Sequence, residues 1–552
     1  VRVAAFLAFA AALSTLGAAH ADATFPRIRS IIVDNRPIFD PDERLDNVPL
    51  LPDMTFVFRA ANFLHIDTKQ EVIRREMLVR EGDPADPHLL AESERNIRAL
   101  AYVREVKVST VPAGPGEVDV IVATRDTWTL QPRASFASGG GTRKSSFGLV
   151  ESNLLGYGKK IRVLHRSGID RSASLFEYID PRILGSRWRA GGQYQDTSDG
   201  RIAEGFFDYP FYSFETPWSG GAEYVSRREK ARIFDHFGNE IAEFRREQEA
   251  FFARVGRRLP ISDEQVVHRL GVFYRRTEDT FPDSTADSLL LPFDRRQSAP
   301  GLFYHREEIR FVKEKHFRVL DRVEDFNLGN TFDAEISYSA KALDALVDEP
   351  IATVVDRHGF DFGPGRKAFV HGLVTARHHH GDFRNAVLEV EGISYNRVNW
   401  LIEHTLVSHL KFDLGRNLDR DVQLILGNDN GLRGFDTRQF VGEKRFIFNL
   451  EDRMFFIDDL FHLLSLGAVV FFDTGYVWKR NQGVDFRRLA TSVGIGLRVD
   501  ALRAAGEAIF RLDLAFPLTD GGSGQHGAAV SIGAGQAFDA FSGPFDLQTT
   551  SR

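Results

Sequence analysis

Cysteine is absent from the 552 residues. The chain can therefore hold neither a disulfide framework nor a thiolate metal site, which fits an envelope protein. Methionine occurs only 3 times. Basic excess is also missing: Lys+Arg is 70 against Asp+Glu 77, a net charge of -7. That balance argues against a nucleic-acid partner. Past the N terminus, no apolar run is long enough for a transmembrane helix, which needs about 20 residues. If the mature chain enters a membrane it must do so as a closed barrel, because only helices and closed barrels pair all their backbone groups in lipid. No G-x-S-x-G stretch is present, so a fused lipase-type domain is excluded. No enzyme chemistry, cofactor or metal is expected.

What is abundant is phenylalanine, at 47, with 47 glycines. Together with many short alternating stretches, this favours β structure over a helical bundle. Residues 1–21 read as a secretory signal peptide. Arg2 gives a minimal positive start, Val3 to Gly17 is apolar and Ala-rich, and Ala19-His20-Ala21 offers an A-x-A cleavage site. An uncleaved helical anchor is the alternative, but the apolar run is short for it.

Residues 22–126 read as a compact α+β domain of order β-α-α-β-β. Ile28–Val33 is a β-branched run. Thr68-Lys-Gln-Glu71 predicts a capping box, with Val72, Ile73 and Met77 on one helix face and Gly82 closing the helix. Asp86-Pro87 predicts an N-cap and a first-turn proline for a second helix carrying Leu89, Leu90, Ile97 and Leu100. Val106 and Val108, a Pro112–Gly116 turn, and then Val118, Val120 and Val122 predict a β-hairpin. The stretch from Asp34 to about Ala61 shows no assignable pattern.

From residue 127 to 538 the pattern becomes segments of about ten residues, alternating apolar with polar or small, as in a transmembrane barrel. The last five segments show it best. Phe446, Phe448 and Leu450 oppose Asn449, Glu451 and Arg453. Leu464, Leu466 and Val470 oppose Ser465, Gly467, Asp473 and Gly475. Val493, Ile495 and Leu497 oppose Ser492, Gly494 and Arg498. Phe510, Leu512 and Leu514 oppose Glu507, Arg511 and Asp513. In Ala528–Phe538, Val530, Ile532 and Phe538 oppose Ser531, Gly533 and Gly535. A soluble sandwich could share this pattern. Charges at the centres of the polar faces suit a wet lumen instead, and Tyr476 with Trp478 at a strand end suit an interfacial girdle. Residues 539–552 read as a tail.

Several motifs resemble the BamA/TamA-type outer-membrane assembly superfamily. In the first domain they are Glu71-Val-Ile-Arg-Arg-Glu76, Arg80-Glu-Gly-Asp83 and Glu94-Arg-Asn-Ile-Arg-Ala-Leu100 with Tyr102 and Val103, which resemble a single POTRA domain. In the barrel, Asn153-Leu-Leu-Gly-Tyr-Gly158 is similar to the superfamily's second strand and turn. Gly431-Leu-Arg-Gly-Phe435 is similar to the motif of its sixth extracellular loop, and Phe471-Phe-Asp-Thr-Gly475 to its F-x-D-x-G strand. The resemblance spans nearly all of the mature chain. It implies a bacterial outer-membrane barrel of sixteen strands behind a periplasmic POTRA-like domain, although roughly nineteen segments alternate suitably. It also implies that Arg433 of the loop, with Gly434 and Phe435, folds into the lumen and meets Glu451 and Asp473, near Gly475. Phe538 is similar to the terminal aromatic. The first strand, about Thr129–Ala137, and the last would close the barrel at a seam weakened by Pro132, Gly533 and Gly535.

Other constellations carry little. Gly139-Gly-Gly-Thr-Arg-Lys-Ser145 lacks the phosphate-loop glycine before its lysine and reads as a hairpin loop. His378-His379-His380 near Asp382 offers too few ligands on one side for a metal. Two functions follow from the resemblance. One is an assembly or insertion factor that docks client polypeptides and templates them at the seam. The alternative is a polypeptide-translocating pore of the two-partner secretion type. A diffusion porin needs no docking domain. The expected partners are the outer-membrane bilayer and client polypeptides, with accessory periplasmic proteins admitted.

Overall fold

The structure is a computed structural model. It describes residues 25–40, 55–139, 142–261, 263, 265–282, 290–320, 322–428, 430–479, 482–483, 485–506, 509–519 and 527–538. The segments read as signal peptide (1–21) and tail (539–552) lie outside the described residues.

The chain begins with a small α/β unit. Strand β1 (Arg27–Arg36) runs parallel to β3 (Glu117–Asp126), which pairs antiparallel with β2 (Val103–Gly114), in the order β1-β3-β2. A parallel pair needs a long crossover. Here it includes helices α1 (Thr55–Leu64), α2 (Gln70–Arg74) and α3 (Pro87–Arg98). Alternation along β3 buries Val118, Val120 and Val122 against Ile73, Ile97 and Tyr102. Asp86 caps α3 as its sequence predicts, its carboxylate accepting from the His88 N–H at 2.8 Å. The capping box at Thr68 does not form. Lys69 is the N-cap of α2 and makes no side-chain cap bond. The Thr68 hydroxyl instead accepts from Asn153 Nδ2 at 2.8 Å, in a barrel turn. Nor does Gly82 close the helix, which ends at Arg74. Gly82 sits in a later turn and its N–H donates to the Ile28 carbonyl.

Twenty antiparallel strands then close into one barrel, from Leu130–Gly139 to Ala529–Ala534. The expectation of sixteen is corrected. Twenty is still even, as closure with both termini at one end requires. Sixteen came from the resemblance, and the roughly nineteen alternating segments stand closer to the count; strand limits are blurred where the strands are long and charged. The seventh and eighth, Trp218–Phe234 and Glu240–Arg258, hold 17 and 19 residues, where a span needs about 9–11. Beyond the apolar part, Arg228, Glu229 and Lys230 lie opposite Glu247, Arg246 and Arg245, so charge falls on both faces and the alternation is lost.

Outside that region the alternation holds. In the sixteenth strand, Lys444–Leu460, residues Arg445, Ile447, Asn449, Glu451 and Arg453 are buried, while Phe446, Phe448 and Leu450 between them are half-exposed. Leu149, Val163, Phe176, Leu302 and Val470 are exposed on the outer surface. Among the described residues no helix is long and apolar enough to cross a membrane. Tyr476 and Trp478 are not an open girdle, because both are buried, with their rings stacked at 5.6 Å. A different cluster, Trp188, Phe207, Tyr209 and Trp218, stacks at the end that carries the N-terminal unit.

The lumen is filled from both ends. Residues 309–330, between the tenth and eleventh strands, carry a hairpin (Phe311–Glu314 with Glu324–Asn327) whose tip folds inward. Its Phe317 ring stacks on Tyr395 at 4.7 Å. From the far end comes the segment between the fifteenth and sixteenth strands, with its own short pairing of Leu424–Leu426 and Phe440–Gly442.

Candidate functional site: the lumen lock and the barrel seam

The far-end segment carries Leu432, Arg433, Gly434 and Phe435 into the lumen. Since it joins the fifteenth and sixteenth strands, it is the eighth connection on its side, not the sixth. Leu432 and Phe435 are buried with Leu426, Phe440, Ile447 and Val477, and this small core seats the loop. Gly434 has φ +94, a left-handed backbone that glycine adopts without strain. A Cβ there would also lie 3.2 Å from Ser492 Cβ, so the loop backbone runs close to the wall.

Arg433 is 4% exposed, and Glu451 and Asp473 are fully buried. Arg433 Nε donates to Asp473 Oδ2 at 2.7 Å and Nη2 to Oδ1 at 2.8 Å, while Nη1 donates to Glu451 Oε1 at 2.6 Å. The guanidinium also lies 3.5 Å from the centre of the Phe471 ring. Charge-assisted, bidentate bonds of this kind are the strong ones, and a buried charge needs such partners. Gly475 has a steric part, since a Cβ there would sit 2.7 Å from Leu426 Cδ2 of the loop's short pairing.

Residues outside the motif complete the network. Asn449 Nδ2 donates to the Gly431 carbonyl at 2.7 Å and to Asp473 Oδ1 at 2.8 Å. Arg453 Nε donates to Glu451 Oε2 at 2.9 Å, and Arg498 Nη1 to Asp513 Oδ1 at 2.6 Å. Asp513 Oδ2 is 3.9 Å from Arg433 Nη1. Arg433, Arg453 and Arg498 thus face Glu451, Asp473 and Asp513. The alternation already sets Arg453, Arg498 and Asp513 on lumen faces, but it leaves open the height at which distant strands align, so it does not join them to the site.

The seam is short. Among the described residues the last strand, Ala529–Ala534, meets the first at three positions: Val530 with Ser138, Ser531 with Ala137, and Ile532 with Phe136. The fourteenth and fifteenth strands, by contrast, pair continuously from Ala386–Arg416 to Trp400–Ile402. Pro132 pairs with Leu149 of the second strand and lies beyond the stretch that the last strand reaches. Gly533 is buried, on the same face as Ser531. Gly535, at φ +79, turns the chain out of the strand, and its N–H donates to the Ile509 carbonyl. The last strand therefore does not run to Phe538. That ring enters the lumen and stacks on His409 at 5.0 Å, with Arg453 5.6 Å away.

The Asn153–Gly158 turn joins the barrel to the N-terminal unit. Besides the Thr68 bond, the Lys69 N–H donates to the Gly156 carbonyl at 3.0 Å. A Cβ at Gly156 would meet the Asp67 carbonyl, which explains the glycine. At the next turns on the same end of the barrel, Arg187 Nη1 reaches Glu76 at 3.0 Å, and Glu92 accepts from the Phe214 N–H at 2.7 Å.

Two groups have ligand-type atoms close together among the described residues: His65, Asp67 and Asp126, and His371, Glu389 and Glu391. In the first, Asp126 already accepts from the Thr68 N–H and from Asn35. In the second, Lys411 Nζ lies 3.1 Å from Glu389 and His409 lies 2.8 Å from Glu391. Internal partners thus take Asp126, Glu389 and Glu391. His378, His379 and His380 stand at the hairpin between the thirteenth and fourteenth strands. Thr142 to Ser145 simply open the second strand.

Residues 379–538 match the Omp85 superfamily domain. Over 178 residues, 32% of this chain, it is 29% identical to outer membrane protein assembly factor BamA of Neorickettsia risticii. Over 138 residues, 24% of the chain, it is 28% identical to a putative outer membrane protein assembly factor of Treponema pallidum. The matched parts span 23% and 16% of those relatives' own lengths. CdiB from Escherichia coli aligns over 95% of this chain and 93% of its own, at 12% identity and a TM-score of 0.44. The resemblance of the chain to the BamA/TamA-type outer-membrane assembly superfamily is thereby shown, with residues 379–538 matching the Omp85 superfamily domain.

Proposed function

We propose that this outer-membrane barrel assembles or inserts other outer-membrane proteins, docking client polypeptides at a periplasmic, POTRA-like N-terminal unit and templating them at the seam between its first and last strands. In this reading residues 22–126 are the periplasmic domain and 127–538 the barrel. Arg433 holds the loop that keeps the lumen closed.

The observation that carries the reading is the three-position seam. Strand edges left unpaired in lipid are costly, since no water satisfies their N–H and C=O groups. An incoming client strand that pairs there removes that cost, which supplies a driving force without nucleotide hydrolysis. The filled lumen favours this over export: Arg433 at one end and Phe317 at the other occupy the path that an exported chain would take.

Cysteines at Phe136 and Ile532, which face each other across the seam, test the proposal. Locked by oxidation, they should abolish client assembly, and a reductant should restore it. The chain has no native cysteine to interfere. Full activity with the lock verified closed would reject lateral templating and favour the translocation pore.

A further inference from the structure

Helix α1 (Thr55–Leu64) is apolar on two opposite sides. One side faces the protein. Phe58 is buried with Ile38 and Phe39, against Ala61, Trp128 and Leu463. Its ring stacks on Phe39 at 4.5 Å. Asn62 fastens the helix, donating from Nδ2 to the Phe39 carbonyl at 2.9 Å and accepting at Oδ1 from the Phe39 N–H at 3.2 Å. Arg503 Nη1 then donates to the Ile38 carbonyl at 3.2 Å, tying this packing to the turn between the eighteenth and nineteenth barrel strands.

The other side faces away from the protein. Phe56 is 75% exposed, Phe63 87% and Leu64 70%. At 100° per residue, Phe56 and Phe63 lie together and nearly opposite Phe58. A single exposed apolar side chain needs no explanation, but a contiguous aromatic face on a firmly anchored helix does.

The position of the helix identifies what covers that face. Trp128, in the inner packing, is two residues before Leu130, which is exposed on the first strand. Leu463, also in that packing, directly precedes the seventeenth strand, whose outer face bears the exposed Val470. The helix thus sits at the barrel rim, against the residues that lead into strands with an apolar outer face. The same rim carries further apolar tips: Leu184 in the turn between the fourth and fifth strands, and Trp400 with Leu401 between the fourteenth and fifteenth, all exposed. Arg59, exposed on the flank, supplies a cation of the kind that reaches phosphate groups from an apolar layer.

The geometry points to α1 as an interfacial lipid anchor. Its Phe56–Phe63–Leu64 face is buried in the periplasmic leaflet of the phospholipid bilayer beside the seam, fixing the N-terminal unit against the membrane. An amphipathic helix holds the interface in this way by its apolar face and flanking cation. The inference rests on the reading of the barrel as membrane-spanning, and its test separates the two.

The full-length protein is placed in nanodiscs of phosphatidylethanolamine and phosphatidylglycerol. Single cysteines at Phe56, Phe63, Val470 and Lys107 carry a nitroxide, and its collisions with oxygen and with a water-soluble nickel chelate are compared. Val470 reports the barrel's lipid face and Lys107 an exposed position of the N-terminal unit. Labels at Phe56 and Phe63 should resemble Val470, favouring oxygen several-fold, with the opposite order at Lys107. Nickel access at Phe56 and Phe63 equal to that at Lys107, with Val470 still lipid-like, overturns the anchor alone. Water-like behaviour at Val470 overturns the membrane reading and the anchor with it. Shielding of Phe63 that arises only on adding an unfolded outer-membrane protein makes polypeptide the occupant and rejects the lipid assignment.

Discussion

Arg433 holds Asp473 through two nitrogens, Nε at 2.7 Å and Nη2 at 2.8 Å, although 40 residues separate them along the chain. The third guanidinium nitrogen reaches Glu451. Arg433→Ala leaves two buried carboxylates without their main partner, a loss of about 3–5 kcal/mol. Arg433→Lys keeps the charge but not the planar fork, so it should recover only part of that. Both variants should unfold at lower temperature in detergent and be cut by protease between residues 427 and 439. A double-mutant cycle with Asp473→Asn should show strong coupling, and simple additivity would contradict the contact.

Gly475 tests the steric side of the same lock. A methyl at this position would sit 2.7 Å from Leu426 Cδ2. Gly475→Ala should therefore displace the loop's short pairing and cost about 1–3 kcal/mol, as overpacking does. Protease sensitivity of the loop should rise while Arg433 and its carboxylates remain intact. Unchanged sensitivity would show that the loop is seated by Arg433 alone.

Much of this site is readable from residues, and the reasons for the remainder are physical. The side to which Glu451 and Asp473 point follows from a period of two, because each strand must present one face to the outside. Their relation to Arg433 came from a motif resemblance. The parts played by Asp513, Arg453 and Arg498 were not legible, since alternation gives a face but not the height at which distant strands align. The inward hairpin was hidden for a similar reason. Phe317, Val319 and Leu320 look like one more apolar segment, yet they are buried inside the barrel. Thr68 shows the limit of local rules, because a barrel turn competes for the hydroxyl that would have capped α2.

The junction between the N-terminal unit and the barrel should respond to pH through Glu92. Burial is the main cause, and it pushes this carboxyl from its ordinary value near 4.5 up to about 7, only partly offset by the Phe214 N–H and Arg95. The raised value means that docking favours the protonated acid. The junction should be firmest below about pH 4.5, weaken as pH rises toward 7, and then level off, with a total change of up to ~3 kcal/mol. Glu92→Gln should flatten this dependence. Hydrogen exchange of α3 between pH 5 and 8 measures it, and equal slopes in both proteins would exclude Glu92 as the source.

The last prediction concerns the hairpin that enters the lumen from the N-terminal side. At its base Lys313 Nζ lies 2.6 Å from Glu94 of α3, Asp325 pairs with Arg98, and Arg322 donates to the Val103 carbonyl at 3.2 Å. At its tip the Phe317 carbonyl accepts from Arg453 Nη1 at 2.7 Å, and Arg453 Nε holds Glu451. Glu451 is also the partner of Arg433. The hairpin and the far-end loop therefore meet on one pair, Arg453–Glu451, and together close the lumen. Both segments lie in the lumen, so releasing one should admit only brief openings in a planar bilayer. Replacing residues 311–327 with a short Gly/Ser turn in the Arg433→Ala background should produce a sustained ion conductance well above either change alone. Arg453→Ala, which loosens both plugs, should give an intermediate level. If the hairpin replacement alone conducts as fully as the combined variant, the loop is no barrier. If the combined variant stays closed, the two segments are not what seals the barrel.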